Sequence, residues 1–476
     1  MVTNIKSASK SPRNGELLCF FALEMYNLYI FLIIYAWRCV MNIGVISLGC
    51  AKNQVDLEEI LAYLKRNDFN IVTSPEAADI IIVNTCAFID SAKTESIDAI
   101  LDMIRYGKPV VVTGCLSTRY LDELKEEIPE VALWIPLQDY PKFSEKLQVL
   151  VKDRVLKGEI DPTKRVFISP EREAYLRISD GCDNFCNFCA IPHIRGRFHS
   201  VPFETLQREL DMLEAENIRS LTVISQDTSM YGRDIHSSLV DLVKEITKHK
   251  GFDFIKLMYL YPDEVSDELI DLFAEHSSLT PYFDLPVQHF SDKILRRMGR
   301  RGTKSDIYEL IHKFRSKVKD SVIRTTVMVG FPGETEEDFQ ELLDSIKEIQ
   351  FDHLGCFTYC PEEGTPGAKF ADQVPEEIKQ ARYKAVMKEQ KKISLRLNKK
   401  RIGSEITALV TGKRDELSYR CITNLYAPDD IDGEMYLYSK IPLKPGMLVK
   451  AKIVNALVYD LEAEVTEVLR EEGKKE

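Results

Sequence analysis

No fourth cysteine stands beside the triplet Cys182, Cys186 and Cys189; the next along the chain is Cys356. That absence excludes the closed four-cysteine cluster of an electron-transfer ferredoxin and the four-cysteine structural zinc site. Positive charge is also short, with 63 Lys and Arg against 75 Asp and Glu and a net charge of −12. Such a chain gains little from releasing phosphate counterions, so nonspecific nucleic-acid binding is not its design. A basic partner would be attracted instead. No secretory signal is evident, so the eleven cysteines point to a reducing cytosol and to metal or catalytic use rather than disulfides. There is no low-complexity tract and no internal repeat beyond strand–helix units.

What is present begins with the triplet itself. Three thiolates at C-x₃-C-x₂-C spacing can hold three irons of a cubane and leave the fourth iron free to bind something else. A strand-like Tyr175–Ser179 run precedes them, and the aromatic Phe188 adjoins the last. A zinc site completed by His193 or His199, or reduced structural thiols, stays open as the alternative.

From Met41 onward a second pattern repeats as strand, cysteine, helix. Ile43–Leu48 leads to Cys50 and an amphipathic stretch 55–67; Asp79–Asn84 leads to Cys86 and a helical segment 90–105; Pro109–Thr113 leads to Cys115. Continuous apolar runs flanked by helices predict parallel strands buried on both faces. Sites in such sheets lie at the carboxyl ends of the strands, where each of these cysteines stands. The spacing thus predicts a second three-thiolate site, against the alternative of buried strand-end cysteines.

A charged connector spans 141–163, and a second α/β series follows. Its strands are expected at Tyr175–Ser179, Leu221–Ser225, Phe254–Tyr259, Tyr282–Pro286, Arg324–Val329 and Leu354–Tyr359, with helices at 203–216, 305–317 and 336–349 between them. The alternation predicts a partial (β/α)6 barrel with its site at the strand carboxyl ends. Gln226 and Asp227 at one such end are candidate polar contacts to a cofactor or substrate, or a satisfied turn. Arg324 and Gly330 are weaker candidates, and His289 is either a pocket residue or a core histidine. Residues 376–400 read as one solvated connecting helix whose charge order suits its dipole. Residues 402–465 alternate apolar and polar in short runs, as a small β-barrel does. At the amino end, residues 17–37 are apolar enough to span a bilayer. A strand beginning at Asn42 leaves no linker, so residues 1–40 are expected to be an upstream extension of the reading frame, with Met41 the start and no membrane anchor.

Together these stretches resemble the methylthiotransferases among the radical S-adenosylmethionine enzymes, from Met41 to Val465. The resemblance rests on Ser47–Asn53 (SLGCAKN), Asn84–Ile89 (NTCAFI), Thr113–Leu116 (TGCL), the triplet, Ser225–Thr228 (SQDT), Leu285–His289 (LPVQH) and Gly330–Thr335 (GFPGET). Ala51 and Leu57 depart from the usual proline and serine. The family implies three units, here 41–150 (amino-terminal cluster domain), 168–400 (radical barrel with its terminal helix) and 401–466 (a TRAM β-barrel). It implies two 4Fe-4S clusters, one on Cys50, Cys86 and Cys115 and one on Cys182, Cys186 and Cys189. It also implies S-adenosyl-L-methionine, with Phe188, Gln226, Asp227, Arg324 and Gly330 as contacts, a reducing electron donor and a cytoplasmic location. Residues 427–433 (APDDIDG) are similar to the branch acting on the twelfth protein of the small ribosomal subunit. That branch implies methylthiolation of an aspartate β-carbon by a radical route. The alternative substrate, a transfer-RNA adenosine, goes with a Gly-Cys-x-Met-Asn run, where this chain has Gly49–Asn53 as GCAKN. The terminal segment 401–465 carries 8 basic against 10 acidic residues, so RNA contact is not favoured.

Overall fold

A computed structural model describes residues 41–152, 154–169 and 172–471. The expected upstream extension, residues 1–40, lies outside the described residues. Among the described residues no helix is long and apolar enough to cross a membrane.

The first sheet holds β1 (Asn42–Ser47), β2 (Asn70–Val72), β3 (Ile80–Thr85), β4 (Val110–Gly114) and β5 (Leu133–Pro136), in spatial order β2-β1-β3-β4-β5. All its pairs are parallel, as the apolar runs require. Successive side chains point to opposite faces, so β3, buried at every position, feeds two layers. Ile81 and Val83 pack with Ile100, Met103 and Val112, while Ile80 and Ile82 pack with Ile60, Tyr63 and Leu64. Helices α1 (Ala51–Arg66), α2 (Asp90–Ile104) and α3 (Cys115–Arg119) leave from the carboxyl ends of β1, β3 and β4.

The second sheet is β6 (Glu173–Arg177), β9 (Ser220–Ile224), β10 (Phe254–Leu257), β11 (Leu279–Gln288), β12 (Val322–Val329) and β13 (His353–Thr358), parallel and in chain order. A short antiparallel pair, β7 (Ser179–Asp180) and β8 (His199–Ser200), follows its first strand and brackets the cysteine triplet. Helices pack outside it: Leu206, Leu210, Ile307, Phe314, Leu342 and Ile346 all enter its main core.

Helix α4 (Glu376–Arg401) departs from expectation. It packs against β13 rather than standing in solvent, burying Lys379, Arg382, Val386, Gln390, Ile393, Ser394 and Asn398. The buried stripe is mostly polar and ties backbone ends: Lys379 Nζ donates to Tyr359 O at 2.8 Å and Gln390 Nε2 to Phe351 O at 2.8 Å. An apolar period was therefore never there to be read.

The last unit is a closed barrel of β14 (Glu405–Lys413), β15 (Ser418–Ile422), β16 (Met435–Tyr438), β17 (Leu448–Ala456) and β18 (Leu461–Arg470), in order β14-β15-β16-β18-β17. Its final strand runs past the expected limit at 466, and Arg470 there grips Asp253 through both Nη atoms at 2.7 and 2.6 Å. The barrel sits under the amino-terminal ends of the second sheet. Lys256 Nζ donates to Tyr426 O at 2.6 Å, His353 Nε2 to Leu425 O at 2.7 Å, and Arg324 Nε to Asp432 at 3.0 Å. Tyr282 and Tyr175 donate their hydroxyls to Asp432 and Asp429.

Candidate active site

Cys50 is the residue before α1, Cys86 follows the end of β3, and Cys115 opens α3 directly after β4. Parallel order brings these three strand ends side by side. Gly114 makes the approach possible: its φ is +94°, and a Cβ there would lie 2.5 Å from Thr85 O. One amide organises the three cysteines. Asn53 Oδ1 accepts from Cys50 Sγ at 3.8 Å and from Cys115 Sγ at 3.5 Å. Its Nδ2 is fixed on Thr85 O at 2.7 Å, one residue before Cys86.

The triplet lies in the loop between β7 and β8. Asn184 Nδ2 reaches Cys182 Sγ at 3.5 Å and donates to Asp227 Oδ2 at 2.5 Å. Asp227 also caps a short turn by accepting from Ser229 N at 3.0 Å. Cys186 Sγ faces Tyr261 Oη at 4.0 Å and Arg300 Nη1 at 3.9 Å, with the guanidinium 3.7 Å above the tyrosine ring. Phe188 turns edge-on to Phe331, with centroids 6.5 Å apart.

The two cysteine sets face one seam, and Arg195 spans it. This residue follows the triplet, yet its Nη2 donates to Asn53 Oδ1 at 3.0 Å and to Asp56 at 2.7 Å, while Nη1 donates to Asp180 at 3.0 Å. Arg177 holds Asp56 and Glu59 of α1 in the same way. Lys52, two residues after Cys50 and only 6% exposed, crosses the seam to set its Nζ 3.2 Å from the Tyr259 ring centroid. Burial pulls its ammonium down to about 8.

Burial also pushes the thiols up, Cys182 to about 11 and Cys115 and Cys189 to about 12. At neutral pH these are thiols until a metal replaces the proton. Among the described residues no three His, Cys, Asp or Glu side chains converge closely enough to share one metal ion. The single-zinc alternative with exposed His193 or His199 therefore has no assembled ligand set. A cubane asks for something else, since each thiolate takes its own iron. Gln226 Oε1 and Asn84 Oδ1, beside the two sets, are buried with no hydrogen-bond partner among the described residues. Such atoms are acceptors left for a bound donor, so the Gln226 oxygen fits a cofactor that carries one, while the fit of each set to a cluster rests on its three thiols.

The remaining expected contacts divide. Arg324 lies inside the sheet with its donors taken by Asp432 and by Asp284 Oδ1 at 2.8 Å. It also lines a cavity of about 500 Å³ at the terminal barrel that contains none of the six cysteines. Gly330 has φ +74°, and a Cβ would meet Lys379 Cγ at 2.3 Å, so the glycine serves the packing of α4. His289 is fully buried, accepts from Ser291 N at 2.9 Å, and burial pulls it down to about 3, a neutral core histidine. Sequence reading missed Asn53, Asn184, Arg195, Tyr261 and Arg300. Asn53 and Asn184 lie within the cysteine motifs and could have been found there; Arg195 follows the triplet without a motif of its own, and Tyr261 and Arg300 come from distant loops.

The signature of the radical SAM superfamily matches residues 176–346, and that of uncharacterized protein family UPF0004 matches residues 42–136. The ribosomal protein uS12 methylthiotransferase RimO of Clostridium kluyveri is 43% identical over 449 residues, covering 91% of this chain and 99% of the relative. The protein of the same name from Aquifex aeolicus is 41% identical, covering 90% and 98%. Among solved structures, the radical S-adenosylmethionine methyltransferase TsrM of Kitasatospora setae, with cobalamin and a [4Fe-4S] cluster bound, shares the fold at TM-score 0.50 and 14% identity, over 69% of this chain and 77% of that one.

Proposed function

The chain belongs to the uS12 methylthiotransferase family of radical S-adenosylmethionine enzymes, and from that premise we propose that it methylthiolates the β-carbon of an aspartate in ribosomal protein uS12. An iron–sulfur cluster and S-adenosylmethionine are the cofactors of this chemistry. In the proposed arrangement there are two 4Fe-4S clusters, one on Cys50, Cys86 and Cys115 and the other on Cys182, Cys186 and Cys189. The observation that carries the reading is the convergence of both cysteine sets on one seam, linked through Arg195 and Asn53. When bound, the cofactors would supply hydrogen-atom abstraction from an unactivated carbon and the methyl of the methylthio group. The protein supplies geometry and dryness. Asn184 and Asp227 steady Cys182, Arg300 and Tyr261 flank Cys186, and Gln226 offers its unpaired oxygen to the cofactor. The buried guanidiniums of Arg177 and Arg195 balance the acidic side chains of α1, so the seam can close without water.

The test has two arms. Intact mass of uS12 from cells with and without this gene is expected to show a methylthio increment that disappears on deletion. An unchanged mass would overturn the substrate and direct the search to transfer-RNA nucleosides. Anaerobically reconstituted protein is expected to lose about half its iron when the first set is changed to Ala and the other half when the second is. Equal iron in both triple variants and the wild type would refute the assignment.

A further inference from the structure

Lys52 is misplaced by every local rule. It stands in the first turn of α1, where the helix dipole disfavours a cation, and that turn holds no acidic residue. Its side chain is buried, yet among the described residues no carboxylate lies within ion-pairing distance. A buried charge needs a partner, and the neighbouring carboxylates are taken. Asp56 and Glu59 of its own helix are held by Arg177 and Arg195. Asp284, across the seam, gives Oδ1 to Arg324 and Oδ2 to Tyr259 N at 2.8 Å each. The other cations of the seam all have acceptors, Arg300 included, through Pro286 O at 2.8 Å. Among the described residues only the face of Tyr259, presented by a left-handed backbone at φ 62°, meets the ammonium. A ring quadrupole steadies a cation without neutralising it, so the position stays open to an anion.

We propose that Lys52 is a specificity-determining residue that takes the carboxylate of the aspartate to be modified. The inference rests on the substrate reading above. It fits the reaction, because the carboxylate is attached to the carbon that reacts and is present in both substrate and product. An ion pair there holds the β-carbon at a fixed place between the two cysteine sets and refuses the uncharged amide of asparagine. The same ammonium could meet the carboxylate of the cofactor instead. The substrate is favoured because Lys52 neighbours Cys50, whereas Asn184, Gln226 and Arg300 surround the triplet.

The experiment measures binding of two synthetic peptides, the uS12 loop with its aspartate and the same loop with asparagine, to full-length reconstituted enzyme. Wild type is expected to prefer the aspartate peptide about tenfold or more. Lys52→Met should bind both alike, and Lys52→Arg should recover part of the preference. Both peptides are read on one preparation, so partial misfolding lowers both affinities and leaves their ratio intact. A preference that survives in Lys52→Met overturns this inference alone. So does weakened S-adenosylmethionine binding in that variant with the peptide preference kept, which would assign the ammonium to the cofactor. Wild type that binds neither peptide overturns the substrate reading as well.

Discussion

At His289 a single ring links packing to pH. Its folded pKa of about 3 lies below the ordinary 6.5 because burial disfavours the imidazolium. The folded state therefore binds fewer protons than the unfolded chain between these values. Its contribution to stability is complete above pH 6.5 and is lost as pH falls toward 3. His289→Asn, which can still accept from Ser291 N, is expected to flatten the dependence of the urea midpoint on pH between about 6.5 and 4. An unchanged slope would mean that other groups set the acid limit. Cys86, Cys115, Cys182 and Cys189 shift the other way, since burial disfavours the thiolate and pushes these thiols up.

Among the elements, α1 carries the heaviest electrostatic duty. Arg165, just past the connector, lies fully buried between Glu58 of α1 at 3.0 Å and Glu209 of the outer helix Phe203–Ala215 at 2.8 Å. Removing one partner of such a group leaves uncompensated charge, so Arg165→Met should lower unfolding free energy by about 3–5 kcal/mol. Urea titration checks this, and a loss below about 1 kcal/mol would contradict it. These pairs also explain what the sequence hid. Strands β3, β4 and β9 were legible because continuous apolar runs have one outcome. Strands β2 and β5, of 3 and 4 residues, are too short to show a pattern. Helix α4 hid its buried face because that face is made of Lys379, Arg382, Gln390 and Asn398. The cysteine spacing could be read from the sequence, but Arg195 and Tyr259 meet the helix that follows Cys50 only through long-range folding.

The whole molecule depends on its last unit from below. Lys256, Tyr282, Arg324 and His353 are buried polar groups of the second sheet whose partners lie in residues 425–432. A chain ending at Arg401 would take these partners away, leave Arg324 with Asp284 alone, and uncover Tyr175, Met258, Tyr282 and Val322, which pack on the barrel. It is expected to be insoluble and to retain no iron; a soluble, iron-loaded truncation would refute this. Counting charge along the terminal segment also missed that Asp432 is turned inward, its side chain 4% exposed.

Translation runs from the amino end, so all six strands of the second sheet leave the ribosome before the loop that closes their lower mouth. Until residues 425–432 emerge, Lys256 and Arg324 stay wet and the sheet cannot reach its final packing. The second sheet thus waits for its closing loop until long after all six cysteines have been made.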